Sequence, residues 1–237
     1  MAGPTGTRRT GRKAGGVSWR FCLTVLLTFP AMVQGSELRV QLSATGDPVD
    51  LSEAVVSLHA AGPEAAPAAA GRAVMDQRAS SFLPRVLPVR VGTRVSFPNS
   101  DRIRHQVYSF SEAKPFELPL YAGAEAPPVD FDKPGVVIVG CNIHDAMIGY
   151  VVVLDTPHFD RAGRDGIVRL DAPPGAYRLQ VWHPRLSGPA LQRSITLEAG
   201  KPLRLQVAMP VRTAGKRQGP GRARALQDKF RRIKPAP

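Results

Sequence analysis

Cys141, His144 and Met147 stand three residues apart in the short segment Cys141-Asn142-Ile143-His144-Asp145-Ala146-Met147. A thiolate, an imidazole and a thioether at this density suit a soft metal, copper above any hard cation. The usual set has three strong donors and one weak thioether, so a second imidazole is needed. His105 is the best candidate, closing the segment Phe97-Pro98-Asn99-Ser100-Asp101-Arg102-Ile103-Arg104-His105. The chemistry implied is that of one mononuclear copper ion.

The segment must be held by what flanks it. Val136-Val137-Ile138-Val139 precedes it and Tyr150-Val151-Val152-Val153-Leu154 follows, two runs of the residues that favour strands. The ligand loop is therefore predicted to join two buried strands. Upstream, Leu87 to Val91 and Thr93 to Phe97 read as strands about a Gly92 turn, and a further strand runs on past His105 to Phe110. Tyr150 and Phe110 are expected in the core.

Short strand-like runs punctuated by Gly and Pro recur through the whole body, without any long helical period, which predicts an all-β protein of sandwich type. Glu37 to Leu42 alternates polar and apolar as a half-buried strand does, and Ala54 to Leu58 makes a second strand. An Ala/Pro-rich connector spans Ala60 to Ala70. Beyond Thr156 the chain reads Gly166 to Leu170, a Pro173-Pro174-Gly175 turn, Ala176 to Trp182, Leu191 to Leu197 and Leu203 to Ala208.

The first residues carry five basic side chains, then an apolar stretch from Phe21 to Val33, then Val33-Gln34-Gly35. That order reads as a secretory signal peptide over residues 1–35, cleaved near Gly35, and so as an exported, periplasmic protein. Cys22 would leave with the signal, and Cys141 would remain as a lone thiol in an oxidising compartment. Such a thiol must be buried, paired with another chain or bound to metal.

Charge is concentrated at the ends. Of 32 Lys and Arg against 19 Asp and Glu, nine basic residues and one acidic lie in 212–237. Residues 36–211 hold 18 of each sign, so nucleic-acid binding is not expected. The tail 212–237 is predicted to be disordered and basic. Its Ala225–Ile233 stretch could lie weakly on an anionic membrane as a short amphipathic helix.

The block from about Met75 to Asp155 resembles the cupredoxins, the small blue-copper electron carriers. Its Cys-x-x-His-x-x-Met spacing is similar to that of amicyanin. The resemblance implies Cys141 as the thiolate, His105 and His144 as the imidazoles and Met147 as the axial thioether. It also implies that Asn99 ties the two ligand-bearing loops together by hydrogen bonds. The flanking segments resemble exported proteins of the methylamine-utilisation type. Residues 37–58 and 166–208 resemble the transthyretin-like or carboxypeptidase-regulatory sandwich.

The expected organisation is thus a cupredoxin Greek-key sandwich at 73–155, set within a discontinuous transthyretin-like or Ig-like β-sandwich of 36–66 and 156–211. Two sequential domains are the simpler alternative. The function expected is one-electron transfer with protein redox partners, and not an enzyme's. Copper storage or delivery is the alternative, as is a structural module that kept the fold without the electron transfer. Zinc is a distant choice, because a thioether is a poor zinc ligand.

Each residue has an ordinary reading beside this one. A buried Cys or Met is commonly core filler, and Asn99 could be a turn residue. His183 is expected to serve packing, and His59 and His158 to sit on loops without chemistry.

Overall fold

The computed structural model describes residues 35–62, 71–123 and 126–212. The apolar stretch of the expected export signal, most of the Ala/Pro connector and the tail from 213 onward, with its amphipathic segment, lie outside these residues. Apart from one short 3-10 turn at Leu51–Glu53, every regular element described is a strand. The protein is all-β.

The chain opens with β1 (Ser36–Thr45) and β2 (Val55–Ala60). Ten strands follow: β3 (Arg72–Val74), β4 (Asp76–Arg78), β5 (Ser81–Leu83), β6 (Val86–Arg90), β7 (Thr93–Ser96), β8 (His105–Ser109), β9 (Phe116–Tyr121), β10 (Val129–Phe131), β11 (Gly135–Gly140) and β12 (Ile148–Leu154). The last five are β13 (His158–Arg161), β14 (Ile167–Ala172), β15 (Gly175–Trp182), β16 (Leu191–Leu197) and β17 (Leu203–Pro210).

Strands from both ends of the described chain share two sheets, ordered β14-β1-β17 and β13-β2-β15-β16. In β1 the alternation anticipated from the sequence sends Leu38, Val40 and Leu42 inward. They meet Val56, Leu58, Leu179 and Val181 of the facing sheet in one core. The central strands form the sheets β10-β7-β3 and β6-β12-β11-β8-β9, with the hairpin β4-β5 beside them. Their core gathers Phe82, Phe97, Phe131, Val137, Val139, Val151 and Val153 together with Cys141 and Met147.

A third, smaller core joins these two. Val55 of β2 packs with Val86, Val152 and Leu154 of the central sheet, and Tyr150, Phe159 and Trp182 close around them. Tyr150 and Trp182 lie 5.5 Å apart between ring centroids. The Arg85 guanidinium sits 5.5 Å over Tyr150 and holds Glu53 with one nitrogen at 2.6 Å from each carboxylate oxygen. The strand that leaves the ligand loop is thereby packed against the sheets of the chain ends.

Several local expectations are corrected. Ile138 is half-exposed although it sits within an apolar run, because a sheet with one core face sends alternate residues outward. Phe110 is likewise exposed, not in the core, and rests against Tyr108 at 5.1 Å. His59 is in β2 and His158 begins β13, so neither is on a loop. His59 contacts Ser57 Oγ and Asp155 at 3.0 Å each. His158 Nδ1 donates to the Asp171 carbonyl at 3.0 Å.

Candidate metal centre

Two chain segments build the site. The first is the ligand loop Cys141–Met147, suspended between β11 and β12, which pair antiparallel from Gly135↔Val153 to Gly140↔Ile148. With the strands locked to this end, the loop must reverse within seven residues. It does so by two backbone bonds, Cys141 N–H to the Met147 carbonyl at 3.2 Å and Met147 N–H to the His144 carbonyl at 2.9 Å. Cys141 and Met147 consequently face the core and are buried, while His144 between them is half-exposed.

The second segment is the loop from Phe97 to Arg104, which delivers His105 as the first residue of β8, fully buried. Its Nδ1 lies 3.7 Å from Cys141 Sγ, and His144 Nδ1 lies 4.0 Å from the same sulfur. One donor atom from each of His105, Cys141 and His144 falls within 4.8 Å of the others. A zinc-like ion bonded to sulfur at ~2.3 Å and nitrogen at ~2.0 Å, with ~120° between them, needs those donors ~3.7 Å apart. The donor separations therefore fit one metal ion. The structure brings these three residues together; Met147 is buried in the same core cluster as Cys141.

His105 is oriented from behind. Its Nε2 is 2.8 Å from Asp101 Oδ2, which leaves the Nδ1 lone pair for the sulfur side of the ring. Asp101 accepts two further bonds, from Ala79 N–H at 2.7 Å and Ser80 N–H at 2.9 Å. These hold its carboxyl below the usual carboxylate range, the Ser80 N–H foremost, with His105 and Ala79 adding to it. Asp101 had drawn no role from the sequence. A carboxylate four residues before a candidate ligand was the available signal, and only the fold supplies the turn that binds it.

Asn99 does not tie the two ligand loops together as expected. Its side-chain amide donates to the carbonyls of Ile103 at 2.8 Å and Tyr121 at 2.9 Å, and its oxygen accepts from Asp101 N–H at 3.0 Å. It fixes the shape of its own loop and anchors that loop to β9, because the adjacent strand end is within reach.

Two tyrosines border the site. Tyr121, opposite His105 in the β8–β9 pairing, donates its hydroxyl proton to the Phe97 carbonyl and accepts from Gln77 Nε2 at 2.5 Å. Burial pushes its phenol up to about 12; the nearby thiol adds to the shift, and the Gln77 bond opposes it. Tyr108 lies across Gly140, next to Cys141 in sequence. A Cβ on Gly140 would stand 3.0 Å from its Cζ and hydroxyl oxygen. Burial raises the Tyr108 phenol too, with Cys141 and Asp145 adding to it.

His183 is not among the three grouped residues, and its hydrogen bonds are to backbone. Buried at 2% exposure, it meets the Asp50 carbonyl through Nε2 at 3.1 Å and accepts from Arg185 N–H through Nδ1 at 3.0 Å. Burial is the main reason its basicity is lowered.

No protein-family model matches the chain, and no curated protein matches it. Among solved structures it is similar to a purple cupredoxin from Nitrosopumilus maritimus, at 24% identity and a TM-score of 0.32. That match covers 35% of this chain and 99% of the other. A reduced amicyanin variant is 26% identical at a TM-score of 0.33, over 43% of this chain and 99% of that one. A copper-containing nitrite reductase from Thermus scotoductus is 24% identical at a TM-score of 0.33, over 48% of this chain and 28% of that one.

Proposed function

We propose that this chain is an exported copper protein that carries single electrons through a site of two histidines, one cysteine and one methionine: His105, His144, Cys141 and Met147. The observation that carries the reading is the convergence of His105, Cys141 and His144, with the far nitrogen of His105 already engaged by Asp101. Two imidazoles and a thiolate with a weak thioether form the donor set of electron-transfer copper sites. Copper bound there would supply a one-electron couple, Cu(II)/Cu(I).

The chain's own residues would limit how far the donors move between the two oxidation states. Cys141 and Met147 are buried and tied through the loop backbone, which keeps water from the sulfurs. His144 is the donor that reaches the surface, with exposed Ile143 beside it, and is the natural point for electrons to enter and leave. With Met147 as fourth donor no position stays open for a substrate, so the reading is of a carrier and not an enzyme. Its partners would be other redox proteins.

The strand pairing supports a further part of the proposal. The copper-binding block 73–155 is read as an insertion within the sandwich of 36–66 and 156–211, between β2 and β13. Export to the periplasm is supported by β1 beginning at Ser36, directly after the expected cleavage point, so that cleavage there would leave every described strand in the chain.

The test is the visible and electron paramagnetic resonance spectrum of the Cu(II)-loaded protein beside Cys141→Ser. An intense blue thiolate-to-copper band with narrow hyperfine splitting, absent from the variant, is expected. A pale complex in both would overturn electron transfer and favour copper delivery or a structural role.

A further inference from the structure

The hairpin β4–β5 turns in two residues, Ala79 and Ser80, with pairing Gln77↔Phe82 and Arg78↔Ser81 on either side. Both turn residues have positive φ, 50° and 53°. Two-residue hairpins of this kind ordinarily use Asn-Gly or Asp-Gly, because a side chain with a Cβ is disfavoured in the left-handed region. Ala-Ser is thus an unfavourable choice that needs a compensating contact. The contact is Asp101: both turn N–H groups point to its carboxylate, one to each oxygen.

The hairpin is knitted to the same loop at other points. Ser100 N–H donates to the Gln77 carbonyl at 2.9 Å, and Gln77 N–H to the Pro98 carbonyl at 2.9 Å. Ser100 Oγ bonds Asp76 Oδ1 at 2.9 Å. From the other side, Asn99 accepts from Asp101 N–H and fixes the start of the loop. Asp101 is therefore held at both backbone and carboxylate before it meets His105, and its side chain is only 16% exposed.

We propose that Asp101 is the positioning residue of the metal site, and that the left-handed Ala79–Ser80 turn is the device that sets it. Resting on the copper reading above, the proposal assigns Asp101 two tasks. It keeps the His105 proton on Nε2, so that Nδ1 faces the metal with its lone pair, and it fixes the ring plane. A carboxylate in this place also makes the imidazole a stronger donor. The hairpin has no donor atom of its own in the site, yet its turn decides whether His105 is ready to bind.

The experiment uses the full chain and its Asp101→Ala, Asp101→Asn and Ser80→Pro variants. Each is titrated with Cu(I) against a coloured chelator. The His105 ring is followed by nitrogen NMR in the metal-free and Cu(I) forms. The wild type is expected to show a slowly exchanging Nε2–H in both forms. Asp101→Ala should bind Cu(I) about 10- to 100-fold more weakly, the range for loss of such a partner, and lose the slow Nε2–H signal. Ser80→Pro removes one N–H and cannot take the positive φ, so it should move both readouts the same way.

Asp101→Asn keeps the side-chain shape and carries the test should the alanine variant fail to fold; it is expected between the two. Unchanged affinity and an unchanged Nε2–H signal in the folded variants would overturn the proposal. A wild-type chain that binds no Cu(I) would overturn the copper reading instead. The metal-free NMR would still decide whether Asp101 holds His105.

Discussion

Gly149→Ala should destabilise the protein although the position sits in a strand, where alanine is ordinarily the better residue. Gly149 is buried in β12, two residues past Met147, and pairs with Val139. A Cβ there would stand 3.0 Å from Phe82 Cβ, 3.0 Å from Val139 Cγ2 and 3.1 Å from Phe82 Cδ2. Carbon atoms prefer ~3.5–4.0 Å, so at three contacts the neighbours must give by a few tenths of an ångström. Phe82 and Val139 are at most 1% exposed, and the Phe82 Cβ cannot move without its backbone. Overpacking of this kind costs ~1–3 kcal/mol. Alanine recovers ~0.4–1 kcal/mol by restricting the unfolded chain. The net expectation is a loss of up to roughly 2.6 kcal/mol, or up to roughly 1.3 M in the urea midpoint at an m value of ~2–3 kcal/mol/M. Gly140→Ala is the contrast: its Cβ meets only the far end of the Tyr108 side chain, at Cζ and the hydroxyl, so the change should cost less than Gly149→Ala. A midpoint that rises in Gly149→Ala would refute the packing argument, because only the unfolded-state term would then remain.

Two further predictions separate structure from chemistry. Met147→Ala should cost ~2–5 kcal/mol in the metal-free protein, as a buried methionine does, while Met147→Leu should cost under ~1.5 kcal/mol. If Met147 is also a donor, Met147→Leu should still alter the spectrum and potential of the Cu(II)-loaded protein; identical spectra would confine Met147 to packing. His183 is neutral in the fold with its basicity lowered below the usual 6.5. Its contribution is therefore complete above that value and is lost as the pH falls through the lower folded value. Wild-type stability should drop below about pH 6.5 by up to ~1.4 kcal/mol per unit more steeply than His183→Gln. Equal slopes from pH 8 to 5 would remove His183 from the acid sensitivity.

What the sequence made legible was whatever is local. The loop 141–147 could be read because Cys141, His144 and Met147 fall within one seven-residue stretch and both flanking strands announce themselves by β-branched runs. The start of β1 could be read because Leu38, Val40 and Leu42 alternate with polar residues over one half-buried face. β13 could not: His158-Phe159-Asp160-Arg161 has no alternation, being a half-exposed edge strand held by pairing to β2. Ile138 misled for the opposite reason, since an apolar run does not say which of its residues face a core. Asp101 escaped because its meaning lies in a turn about twenty residues earlier, whose Ala-Ser sequence carries none of the Asn or Gly that mark such turns. Asn99 was placed in the right loop with the wrong partner, for the choice between β9 and the Cys141 loop belongs to tertiary packing.

The same division between local and distant constraint describes the site itself. Cys141 and Met147 are restrained by a seven-residue loop whose backbone bonds close between paired strands, a constraint written in one stretch of chain. His105 is restrained by groups brought from three places: Asp101 from its own loop, the Ala79–Ser80 turn from β4–β5, and Asn99 through Tyr121 of β9. Both sets of hydrogen bonds are made by the chain alone. β12 adds a third restraint, because Val152 and Leu154 are buried against Val55 in the joint with the terminal strands. A carrier reading requires donors that stay in place as the charge of the metal changes. Of the four proposed donors, Cys141 and Met147 would meet that need through local backbone closure and His105 through long-range contacts. On that proposal His144 would be the half-exposed donor, the place where a partner would make contact without disturbing the other three.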